Sequence, residues 1–123
     1  MRVANLFYKM MLMSKSGLGT LELAALLAVV RLADDAYGLA VRADLAARMG
    51  RELSVGAVYT TLQRLEDKGL LKSHTSAPLP VRGGRSRRHY VLTGAGARAI
   101  RDAERHAASI WAGVASRVRP RTA

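Results

Sequence analysis

The chain of 123 residues contains no cysteine. That excludes a disulfide framework, a thiolate nucleophile and a cysteine-built metal site, and it suits a cytoplasmic location. Acidic residues are scarce. Nine Asp plus Glu stand against 20 Lys plus Arg, giving a net charge of +11 and a pI near 11.3. An excess of this size favours a polyanionic partner, nucleic acid first and an anionic membrane second. A coding bias towards arginine and alanine would raise the pI without any partner, so charge placement has to decide. Long apolar runs are also missing. The longest, residues 21–30, contains Glu22 and is too short to span a bilayer. Residues 6–13 are apolar but are interrupted by Lys9 and lack a small-residue cleavage site, so no secretory leader is expected and no membrane partner.

Enzyme signatures are absent too. There is no HExxH, no G-x-S-x-G and no phosphate-cradling glycine loop, Gly83-Gly84 being too short for one. His74, His89 and His106 are scattered over two expected strands and a helix, and nothing in their spacing suggests a metal site. Adjacent Asp34 and Asp35 suit a helix cap better than a carboxylate pair. No enzyme, catalytic residue, cofactor or metal is expected.

What is present is half hydrophobic, with a mean hydropathy near zero. The chain is long enough for one domain with a modest core. Its clearest stretch is 53–71, LSVGAVYTTLQRLEDKGLL. Ser54 is placed to cap a helix and Gly69 to end it. Val55, Val58, Leu62 and Leu65 form an apolar stripe at helical spacing. The other face, with Gly56, Thr60, Gln63, Arg64 and Asp67, is small and polar at its N-terminal end. Such a face can approach a DNA major groove, and it can equally be an ordinary solvated one.

Ahead of it, residues 1–19 form an extension in which Leu6, Met10 and Met13 suggest a short helix. Thr20 is the expected N-cap of a helix over 21–32, with Glu22 in its first turn. That helix is apolar nearly all round, so a second subunit is expected to cover part of it. A second helix is expected over 37–49, with Val41, Leu45 and Met49 on its buried side and Gly50 as its stop. The short linker to 53–71 completes a helix-turn-helix outline.

After Gly69 the period changes to two, and residues 87–93 alternate again. Between them lies a turn-rich loop with two prolines and two glycines. The expectation is a β-hairpin with a basic tip. Arg82, Arg85, Arg87 and Arg88 cluster there, suited to phosphate contact or to a narrow minor groove. Thr93 then caps a last helix over 95–118. Ile100, Ala103, Ala107, Ile110, Val114 and Val118 make a heptad-like seam with Trp111 on its flank, and Arg98, Arg101 and Arg105 lie outside. A homodimer is the economical partner for such a stripe. The domain divisions are therefore 1–19, a DNA-binding domain at 20–93 and a dimerisation helix and tail at 94–123. The fold class is mostly α with a small β-hairpin, an α+β winged helix-turn-helix.

In this order the elements are familiar. The chain resembles the PadR family of bacterial transcriptional regulators over about residues 19–99. The resemblance is carried by GTLEL at 19–23, DAYGL at 35–39, the whole run 53–71, GGR at 83–85 and YVLT at 90–93. Many members carry proline after the tyrosine of the third helix. Here Thr60 stands there, as in a recognisable subset. The single C-terminal helix places the chain in the short-tailed branch.

The resemblance implies a dimeric, DNA-binding, usually repressing regulator. Carried over by position, it puts Ser54, Gly56, Ala57, Thr60, Gln63 and Arg64 in the major groove. Tyr59 would reach a phosphate from the helix flank. Tyr37 is a second phosphate candidate, with packing aromatic as its alternative role. The wing arginines would hold the backbone of double-stranded DNA. Leu23, Leu26 and Leu27 of the first helix, with the seam of the last, would build the homodimer. A small apolar effector near the seam would stack on Trp111, whose other role is as a plain dimer anchor. The competing functions are a winged helix used for protein contact and a non-specific nucleic-acid binder.

Overall fold

A computed structural model describes residues 18–75 and 87–118. Three helices come first: α1 (Thr20–Leu32), α2 (Gly38–Met49) and α3 (Val55–Asp67). Two strands, β1 (Leu71–Thr75) and β2 (Arg88–Leu92), form an antiparallel pair, and α4 (Gly94–Trp111) closes the order. The fold is mostly helical α+β, a winged helix.

The core sits where the three helices meet the hairpin. Ala25, Leu26 and Ala28 of α1, Val41 of α2, Val58, Leu62 and Leu65 of α3 and Leu71 of β1 are all at most 1% exposed. Three polar ties brace this core at its rim. Arg31 of α1 forms an ion pair with Asp44 of α2, and Arg48 adds a second contact to the same carboxylate at 3.6 Å. The Arg31 guanidinium, bonded to Asp44, holds that carboxyl below its ordinary 3.8. Lys68, the C-cap of α3, meets the buried Glu22 of α1 at 2.6 Å. Both ends gain from their helix dipoles, an acid in a first turn and a cation at a last. Arg42 donates from Nε to the Leu53 carbonyl at 2.7 Å and so fixes the turn between α2 and α3.

Several boundaries differ from the sequence expectation. Gly19, not Thr20, is the N-cap of α1, and the Glu22 carboxylate reaches back to accept from its N–H at 3.4 Å. Asp34 and Asp35 lie in a 3-10 turn and do not cap α2; Tyr37 holds the N-cap position and makes no side-chain cap bond. Val55 is exposed and leaves the buried stripe of α3. Leu53 and Thr61 take its place. Leu53, just before the cap, joins Val58 in the core as a hydrophobic staple does, and Thr61 turns its hydroxyl onto the Ala57 carbonyl at 2.7 Å. The last helix ends at Trp111 instead of Val118. Gly113 adopts φ +73 just past the C-cap and reverses the chain. The apolar spacing that runs on to Val114 and Val118 concealed that stop.

The end of α3 was foreseen. Gly69 has φ +74, its N–H bonds to the Glu66 carbonyl, and the Leu70 N–H bonds to the Leu65 carbonyl, both at 2.9 Å. This is a Schellman ending, with Leu65 and Leu70 buried together. Thr93 then joins three elements. Its Oγ1 accepts from the Gly96 N–H at 3.0 Å, capping α4, and donates to the Gly69 carbonyl at 2.7 Å. Its own N–H bonds to the Leu70 carbonyl at 3.1 Å.

Candidate nucleic-acid interface

Helix α3 buries one side and offers the other. Ser54, Gly56, Tyr59, Thr60, Gln63 and Arg64 are exposed, and Ala57 is half-buried. Ser54 is committed to capping: its Oγ accepts from the Ala57 N–H at 3.0 Å. Gly56 has open space around it, with no atom within 4 Å of where a Cβ would stand. Gln63 donates from Nε2 to Asp67 at 3.0 Å, one turn further on. That bond orients the Gln63 amide along the helix and puts one carboxylate at the far end of the polar face.

The wing adjoins this helix. Ser73 of β1 bonds to Glu66 of α3. The register pairs Leu71 with Leu92, Ser73 with Tyr90 and Thr75 with Arg88 on the side that turns to the helices. Tyr90 is buried there, and desolvation pushes its phenol above the ordinary 10.0. Lys72, His74, His89 and Val91 point the other way. A third short partner lies along β2. The Tyr90 N–H bonds to the Ala36 carbonyl at 2.8 Å, and Tyr37 bridges to His89.

That bridge builds an aromatic ladder which the sequence reading missed. Tyr37 meets His89 edge-on at 5.9 Å, and His89 stacks on His74 at 5.4 Å between ring centroids. The two histidines expected to be scattered are thus cross-strand partners. They have no third ligand: among the described residues no group of three or more His, Cys, Asp or Glu forms a metal site. Arg87 lies over the Tyr37 ring, 4.4 Å from its centroid, a cation–π geometry. Only the DAYG motif at 35–38 signalled this corner in the sequence.

On α3, Tyr59 reaches back to the same corner and lies against Gly38. Tyr59 thus meets α2 at the residue next to Tyr37 in the chain, and the Tyr37 ring in turn carries Arg87 and meets His89. Arg88 is exposed at the free end of β2. Arg82 and Arg85 fall outside the described residues.

The expected dimer residues divide. Leu26 is fully buried within the single chain, so it belongs to the core and has no surface to give a partner. Its neighbours Leu23 and Leu27 are half-buried, as are Ile100, Ala103 and Val114. Ala107 is exposed, and Ile110, Trp111 and Val118 are 77%, 67% and 70% exposed. The apolar stripe of α4 is thus sealed against the core at its start and bare at its end. Among the described residues no helix is long and apolar enough to cross a membrane.

The family profile described as "Transcriptional regulator PadR-like family" matches residues 26–102. A PadR family transcription regulator from Clostridium difficile R20291 is similar at 28% identity over 72% of this chain and 88% of that one, with a TM-score of 0.56. A PadR family regulator from Eggerthella lenta shows 26% identity over 92% of each chain, with a TM-score of 0.59. RosR of H. salinarum shows 27% identity over 81% of this chain and 83% of that one, with a TM-score of 0.58. No curated protein sequence matches significantly.

Proposed function

The chain belongs to the PadR-like family of transcriptional regulators, which are not enzymes, and on that premise we propose that it is a homodimeric repressor acting by promoter occlusion. The observation that carries this reading is the exposed face of α3 together with the corner at the start of α2, where Tyr59 lies against Gly38 and Arg87 lies over Tyr37. It pairs a small, polar helix face with tyrosines and an arginine. The first is the chemistry of base-edge readout, and the second is that of phosphate contact. Thr60, Gln63 and Arg64 read bases, with Gly56 and Ala57 allowing close approach. Tyr37, Tyr59, Arg87 and Arg88 hold the backbone, joined by Arg82 and Arg85 from outside the described residues.

The bare end of α4 supports a second copy as its cover. Ile110 and Trp111 are large apolar side chains that the other described residues leave exposed, and a two-fold seam hides both at once. Two recognition helices then meet half-sites about 34 Å apart on one face of DNA. A bound dimer of this kind occludes polymerase in the cytoplasm. A small apolar effector that stacks on Trp111 within the seam would change the half-site distance and release the operator.

The test is fluorescence anisotropy on DNA from upstream of the chain's own gene, with a scrambled duplex as control, across a salt series. The regulator prefers the native site, and log affinity falls with log salt by about 0.9 per phosphate neutralised. Gln63→Ala or Arg64→Ala removes the preference, whereas Arg87→Ala weakens both duplexes alike and lowers the slope by about 1. Equal binding to both duplexes, unaffected by Gln63→Ala, would instead mark a non-specific binder. No binding at low salt would turn the reading to protein contact.

A further inference from the structure

We propose that Gly38 is a positioning residue for DNA binding, its missing side chain forming the seat that aims Tyr59 at the phosphate backbone. The inference rests on the DNA-binding reading above and adds a residue that needs no DNA contact of its own.

Gly38 is the first residue of α2 and is buried. Its φ lies outside the left-handed region that favours glycine, so the backbone does not require one here. Alanine would normally stabilise such a position by restricting the unfolded chain. The neighbour explains the glycine. A Cβ on residue 38 would stand 2.6 Å from Cε1 of Tyr59, and closer still to its Cζ and Oη. Carbon atoms pack at about 3.5–4.0 Å. The phenol end of Tyr59 therefore lies against the bare Cα of Gly38, in space that any other side chain would fill.

The consequence is directional. Tyr59 is 39% exposed and springs from the second turn of α3, so its ring could point in several directions. Gly38 lets it fold back against the start of α2, one residue along from Tyr37. The phenol is thereby held at the edge of the α3 face, where a DNA strand leaving the groove would pass. An alanine at 38 forces the ring tip outward by about 1 Å or more to recover normal contact. Tyrosine carries no charge, so moving it alters affinity without altering the number of phosphates neutralised.

The experiment is a double-mutant cycle on the full chain: wild type, Gly38→Ala, Tyr59→Ala and the pair, with Tyr59→Phe beside them. The probe is the duplex that the wild-type chain selects from a randomised library, with a scrambled duplex as control. Binding is read by anisotropy over a salt series, and thermal unfolding is followed in parallel. Gly38→Ala weakens binding about tenfold, or about 1.4 kcal/mol, at an unchanged salt slope. Tyr59→Phe loses a similar factor. In the Tyr59→Ala background the alanine at 38 costs no further affinity, and there it raises the Tm because the seat is empty. Wild-type affinity in Gly38→Ala overturns the inference, and so does an equal loss in both backgrounds, because either makes Gly38 independent of Tyr59. Should Gly38→Ala alone fail to fold, the double variant decides: folding restored when Tyr59→Ala empties the space supports the seat, and failure to fold in that background too overturns it. If the wild type does not prefer its selected duplex, the regulator reading itself fails and takes this inference with it.

Discussion

Replacing Gly56 with alanine separates the stability of the fold from its ability to read DNA. Gly56 is the second residue of α3 and is exposed, and a Cβ there would meet nothing within 4 Å. Alanine therefore costs no packing, and it removes freedom from the unfolded chain worth about 0.4–1 kcal/mol. For a domain of this size that raises the Tm by about 2–8 °C. The effect on DNA has the opposite sign. Where the start of α3 lies against base edges, a methyl group occupies space the groove needs, and the helix backs away. One or two base contacts worth about 1–3 kcal/mol each are then strained or lost. Affinity for the selected duplex falls about tenfold to a hundredfold, and binding to a scrambled duplex falls less. Thermal unfolding by circular dichroism and anisotropy at one fixed salt concentration read the two effects. A variant with raised Tm and undiminished affinity would refute the reasoning, because the face of α3 around Gly56 would then not be the one in the groove.

Other perturbations follow from the same geometry. Gly96→Ala sets a Cβ 2.7 Å from Leu92 Cδ1 and closer to the Leu70 carbonyl, a backbone atom that cannot yield; overpacking of about 1–3 kcal/mol lowers the Tm by about 5–20 °C on a thermal scan. Ala33 holds φ +50 at the end of α1, so Ala33→Gly relieves about 1 kcal/mol and raises the urea midpoint at constant m. Asp44 has a depressed folded pKa because of Arg31, so its contribution is complete above about 3.8 and is lost as acid carries the pH below that value through the folded pKa. Arg31→Met diminishes that acid-dependent part of stability and leaves the Arg48 share, which unfolding midpoints measured between neutral pH and pH 3 would reveal as a flatter profile. Ile110→Glu puts a charge on the bare end of α4; sedimentation shows the mass halved while helix content stays constant, and a mass unchanged from wild type would move the dimer seam elsewhere.

The winged-helix outline was readable because each boundary had local chemistry behind it. Ser54 and Gly69 marked α3 by their own preferences, and the change of period after Gly69 marked the wing. Where the reading went astray, the deciding contact came from elsewhere in the chain. Val55 fits the stripe of α3 by spacing, yet Leu53 arrives from the linker and fills that part of the core. Leu26 looked like seam because α1 is apolar nearly all round, and only the packing of α2, α3 and β2 on it shows which side is inside. Gly113 ended a helix whose apolar rhythm carried on past it. Within the candidate interface, Gly56, Thr60, Gln63 and Arg64 of α3 were legible from periodicity. The corner of Tyr37, Gly38, Tyr59, Arg87 and the two histidines was not, because those residues meet only when β2 lies beside the start of α2.

Thr93 makes α4 a lever with a fixed fulcrum. The helix has 18 residues and is about 27 Å long, and its first turn is tied to the end of α3 through one hydroxyl and one amide. A tilt of about 10° about that point moves the far tip by about 5 Å while the near end hardly shifts. Seen from the far end, a displacement of about 5 Å at Ile110 and Trp111 corresponds to only about 10° at Thr93.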